Sequence, residues 1–72
     1  MNFFSKKILE YQQKKLADAE KKLRYHLAKK EQLLKLGNIS DNELENEEKM
    51  IKIWSNNVEK ITKEIKKLRD IE

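Results

Sequence analysis

The chain has no cysteine, no proline and a single glycine, and each shortage excludes something. Without cysteine there is no disulfide framework and no thiolate metal or redox site. Without proline, and with Gly37 alone to break a run, the composition is that of long helices rather than of sheets or a compact mixed fold. Aromatic side chains are few. No apolar run approaches the roughly 18 residues of a membrane span. The start, Met1-Asn2-Phe3-Phe4-Ser5-Lys6-Lys7, lacks the basic-then-apolar order of a secretory signal. These absences lead us to expect a soluble cytoplasmic protein.

What is present is charge. Of 72 residues, 17 are Lys or Arg and 13 are Asp or Glu, so 42% of the residues are charged. One domain, 1–72, is all that this length supports, and such a chain buries only about 60% of its unfolded surface. The bias toward Lys, Ile, Asn and Glu resembles that of proteins from AT-rich genomes, including low-GC bacteria and their phages and plasmids.

Hydrophobic spacing supplies the fold. Between residues 40 and 71, Leu44, Ile51, Trp54, Val58, Ile61, Ile65 and Leu68 follow one another at three- and four-residue steps, a heptad seam with Leu44, Ile51, Val58 and Ile65 at a and Trp54, Ile61 and Leu68 at d. The first half carries a weaker seam: Leu9, Leu16, Leu23 and Lys30 at a, with Gln12, Ala19, His26 and Leu33 at d. Leu27 and Leu34, at e, widen that stripe. Gly37 stops the first helix, since glycine tolerates the left-handed conformation that ends many helices. Ser40 and Glu43 form a capping box for the second, with Ile39 and Leu44 as its hydrophobic staple. A connection this short forces antiparallel neighbours.

The expected fold is therefore all-α, an antiparallel two-helix hairpin of the coiled-coil kind about 50 Å long, with helix 1 over about 2–36, a turn over about 37–40 and helix 2 over about 41–71. Folding the chain at Asn38 and Ile39 sets Leu9 against Leu68, Leu16 against Ile61, Ala19 against Val58, Leu23 against Trp54, His26 against Ile51 and Leu33 against Leu44. It also brings the two charged seam residues, Lys30 and Glu47, opposite one another. A lone hairpin leaves apolar residues uncovered: Phe4, Ile8 and Tyr11 share one face at i, i+4 and i+7, and Tyr25, Leu27, Leu34, Met50, Ile53 and Ile71 are left over. We expect hairpins to pair into a two-fold dimer, a four-helix bundle.

The catalytic and ligand-binding classes find little support. His26 is the only histidine, and one imidazole without cysteine or a carboxylate pair is a poor metal or acid-base constellation. The carboxylates from Asp41 to Glu48 lack the alternate-position ligands and glycine of a calcium loop. No Gly-rich phosphate loop, nucleophile elbow or metal-binding His pair occurs. We expect no enzymatic activity, no cofactor and no metal. Asn38-Ile39-Ser40 matches a glycosylation triplet, which without a secretion signal is a chance match on a turn.

Two binding surfaces remain. Residues 1–36 hold ten Lys and Arg against four Asp and Glu, a net of +6, and residues 37–72 hold seven against nine, a net of −2. The doublets Lys6-Lys7, Lys14-Lys15, Lys21-Lys22 and Lys29-Lys30 make a basic ridge, and Lys14, Lys15, Lys21, Lys22 and Lys29 could follow a phosphate backbone. Acid-first pairs Glu10/Lys14, Asp18/Lys22, Glu20/Arg24 and Glu31/Lys35 neutralise much of it. The apolar patch of Phe4, Ile8 and Tyr11 is the expected protein contact, as an oligomer interface or a docking face for a partner. A membrane-surface role for Phe3, Phe4 and Ile8 is the weakest alternative, because the patch is short and the lysines do not occupy a clean opposite face.

In plan, two helices and a tight turn with expected dimerisation, the chain resembles the plasmid Rop RNA-binding hairpins and the small phosphatase hairpins of spore formers. The phosphatase family carries S-Q-E-L-D on its second helix, where this chain reads Asn46-Glu47-Glu48-Lys49-Met50, so that resemblance implies no catalytic residue here. The leading expectation is a non-enzymatic hairpin that self-associates and binds an unidentified protein, as regulator, inhibitor or assembly factor. The alternative is a nucleic-acid-binding hairpin dimer.

Overall fold

A computed structural model describes residues 3–38 and 40–70. Within them the chain is two α-helices, α1 (Phe3–Leu36) and α2 (Asp41–Asp70), packed against each other. The hairpin extends 53 Å by 13 Å by 13 Å, close to the length expected from the rise of a helix. Among the described residues, no helix is long and apolar enough to cross a membrane. Ile39 of the expected staple, Ile71, and the side chain of Phe3 lie outside the described residues.

The chemistry of neighbouring residues sets both helix ends at the turn. Gly37 adopts φ +73°, the left-handed conformation in which a side chain would crowd the backbone, and its N–H donates to the Leu34 carbonyl at 3.3 Å. Lys35 lies in the last turn of α1, where the dipole favours a cation. Three residues on, the Ser40 hydroxyl oxygen accepts from the Glu43 N–H at 3.2 Å, and the Ser40 carbonyl accepts from the Leu44 N–H at 3.1 Å. That is the expected N-cap. Asp41 and Glu43 stand in the first turn of α2, and Lys67 and Arg69 in its last, each sign at the dipole end it stabilises.

The seam divides into two halves. Toward the open end it is apolar: Ala19, Ile61 and Ile65 are buried, and Leu9, Leu16, Trp54 and Val58 pack around them. Ala19, 2% exposed, is small enough to let the helices approach at that point. The residues expected to face one another, Leu16 with Ile61 and Ala19 with Val58, belong to this one cluster. Lys22 reaches over the Trp54 ring, which places that ring beside the turn of α1 that carries Leu23. Gln12 interrupts this half; its Nε2 donates to Glu64 Oε2 at 3.1 Å, and its Oε1 is buried without a partner.

Toward the turn the seam is polar, and here the structure departs from the sequence expectation. Glu47 is held by His26 and Lys29, while Lys30 reaches Glu48 at 3.5 Å. The reason is reach. Glu47 occupies a d position and its short side chain stays inside the seam, facing His26 at the d position of α1. The longer Lys30 stem leaves the seam toward solvent and ends beside Glu48 on the flank.

Candidate interaction surface

The two flanks of the hairpin differ in chemistry. On one, Gln13, Thr62, Lys66 and Arg69 line a groove, Lys30 meets Glu48, and Leu27 and Leu34 stand exposed. On the other, Lys15, Asp18, Trp54, Asn57, Lys60 and Glu64 line one groove; Lys29, Glu43, Asn46 and Glu47 line a second nearer the turn. Ile8, Gln12, Glu64 and Lys67 line a third nearer the open end. This second flank carries most of the residues singled out from the sequence.

The expected protein-binding patch lies outward. Phe4, Ile8 and Tyr11 are 76%, 48% and 61% exposed. Tyr25, two heptads beyond Tyr11, is exposed to the same degree, 60%. Sequence reasoning left Tyr25 as an unassigned leftover. The signal that places it is the alternating step of four and three that starts at Phe4, Ile8 and Tyr11 and continues through Lys15, Asp18 and Lys22 to Tyr25 and Lys29, a second stripe beside the core seam.

The basic ridge divides between two positions. Lys14 and Lys21 stand on the outer surface. Lys15, Lys22 and Lys29 lean instead across the flank onto aromatic rings: Lys15 Nζ lies 5.5 Å from the Tyr11 centroid, Lys22 Nζ 4.6 Å from that of Trp54, and Lys29 Nζ 5.9 Å from that of Tyr25, all within cation–π range. Two of these lysines also have carboxylate partners. Lys22 pairs with Asp18 at 3.0 Å and Lys29 with Glu47 at 3.2 Å. The expected Glu31/Lys35 pair forms as well, at 3.2 Å. The structure thus brings the aromatic patch and part of the ridge together on one face.

Beneath this face sits the Glu47 carboxylate, 6% exposed. Its Oε2 lies 2.8 Å from His26 Nδ1; a carboxylate only accepts, so Nδ1 carries the hydrogen. The hydrogen bond from His26, with help from Lys29, holds Glu47 below its ordinary 4.5 even though burial pushes the other way. The reciprocal bond to Glu47 raises Lys29 above its ordinary 10.5. His26 is thereby tied into the structure by a charge-assisted hydrogen bond. Its carboxylate partner escaped the sequence reading, because opposite residues across a seam are set by register and rotamer together. Among the described residues, no group of three or more His, Cys, Asp or Glu is arranged to hold a metal ion.

Fold and surface together define a class: a helical hairpin with a core running along one seam and a mixed aromatic and basic stripe along one flank. No family model matches the chain, and no curated protein or solved structure matches it significantly.

Proposed function

We propose that this chain is a non-enzymatic helical-hairpin protein that self-associates, most simply as a two-fold dimer forming a four-helix bundle, and acts through protein contacts as a regulator, inhibitor or assembly factor. The observation that carries this reading is the outward array of Phe4, Ile8 and Tyr11, joined by Tyr25, on a chain whose buried apolar core, among the described residues, is Ala19, Ile61 and Ile65. Large apolar side chains at regular spacing on an exposed flank mark an interface. The lack of cysteine suits a reducing compartment such as the cytoplasm. Light scattering on the purified chain at micromolar concentration should return twice the chain mass; a stable monomer would overturn the self-association. Replacing Phe4 and Tyr11 with serine should abolish the contacts the chain makes with other proteins.

The charge asymmetry supports a second reading, a nucleic-acid binder using Lys14, Lys15, Lys21, Lys22 and Lys29. The engagement of Lys22 with Asp18 and of Lys29 with Glu47 counts against it, since phosphates would have to displace carboxylates. Reversing the two outward charges, Lys14→Glu with Lys21→Glu, separates the readings: loss of oligonucleotide binding with a reduced salt slope supports nucleic acid. Unchanged self-association with no oligonucleotide bound by the parent chain removes that reading.

A further inference from the structure

The exposed stripe on α1 is self-complementary. Its central residues are Tyr11, Lys15, Asp18, Lys22, Tyr25 and Lys29, spaced four and three apart, with aromatic or acidic side chains alternating with lysine. When one such stripe is laid antiparallel on another about a two-fold axis between Asp18 and Lys22, Asp18 falls opposite the partner's Lys22, Tyr11 opposite the partner's Lys29, and Lys15 opposite the partner's Tyr25. Every contact occurs twice, as two-fold symmetry requires. At the ends, Phe4 meets the partner's Leu36, two side chains that are both largely exposed in the single hairpin.

Resting on the self-association proposed above, we infer that a second copy of this chain covers this flank, with α1 antiparallel to the partner's α1. Three observations favour that occupant. Charge is the first: Asp18 and Glu47 neutralise Lys22 and Lys29, which leaves Lys15 as the stripe's lysine held by an aromatic ring rather than a carboxylate, with a second ring supplied across the axis. Pattern is the second, because along α1 this register sets every lysine of the stripe opposite an aspartate or a tyrosine of the partner and opposes no like charges within it. Area is the third: two hairpins of 53 Å by 13 Å laid flank to flank cover roughly 700 Å² on each, about 1,400 Å² together, the size of a specific interface. Among the described residues, the large apolar side chains exposed on the opposite flank are Leu27 and Leu34.

The test uses two single variants of the full chain, Asp18→Lys and Lys22→Asp, with Leu27→Glu as control on the opposite flank. Circular dichroism checks that all three remain helical. Each charge variant alone sets like charges opposite one another twice, which should raise the dimer dissociation constant by about tenfold or more. Mixed in equal amounts, the two should form a heterodimer, resolved by native mass spectrometry, because lysine then faces aspartate at both places. The swap within one chain cannot produce that result. A dimeric parent chain whose charge variants stay dimeric, or show no preference for one another, overturns this inference and leaves self-association standing. Loss of the dimer in Leu27→Glu alone transfers the interface to the other flank and also overturns it. A monomeric parent chain overturns both.

Discussion

A carboxylate occupies a seam position, residue 47, where a coiled coil ordinarily holds an apolar side chain. Glu47 is stable there because His26 and Lys29 satisfy it, and removing it strands two donors. Glu47→Ala should therefore cost about 1–3 kcal/mol in urea unfolding, the lower end being favoured because Lys29 is half exposed and can turn to water. The pH dependence has a definite sign. Glu47 is held below 4.5 by its hydrogen bond from His26, so its contribution is present above that value and fades as pH falls through the depressed folded value. Lys29 is raised above 10.5, so its contribution is complete below that value and fades as pH rises past it. Stability measured from neutral pH into the acid range should fall more steeply in the parent chain than in Glu47→Gln; equal profiles would dissociate the carboxylate from the acid limb.

The elements depend on their ends as well as on their faces. Gly37 at φ +73° has no atom within 4 Å of where a Cβ would be, so Gly37→Ala meets no steric neighbour and its cost is the left-handed backbone alone, about 1 kcal/mol. Ser40→Ala removes the acceptor for the Glu43 N–H and should cost about 1 kcal/mol. The two sites lie at opposite ends of one short turn. Measured by thermal melts, a double variant costing much less than the two singles together would mean that the turn reorganises as a unit. Both caps were legible in the sequence because a cap is a contact between residues three or four apart. The helix faces were legible for the same reason, since the 3.6-residue period alone puts Leu16, Ala19 and Leu23 on one side. The stripe through Tyr25 was equally present in the spacing, but lysine and aspartate at its centre hid it from a search for apolar repeats.

At the scale of the molecule, a hairpin with three buried apolar residues among those described has little core to spare, and pairing would couple its stability to concentration. A tenfold increase in chain concentration should raise the melting temperature by roughly 3–5 °C; a melting temperature that does not move would speak for a self-sufficient monomer. The amino-acid sequence by itself determined two helices, the place where the chain reverses, and their antiparallel pairing, because caps, period and loop length act over a few residues and admit one answer. It could not assign Glu47 to His26 and Lys29 rather than to Lys30, or lay lysines over the Tyr11, Trp54 and Tyr25 rings. Several side chains of similar chemistry lie within reach of each of those positions across the seam. Only packing the two helices at a definite rotation, with each stem in a staggered rotamer, decides which of them arrives.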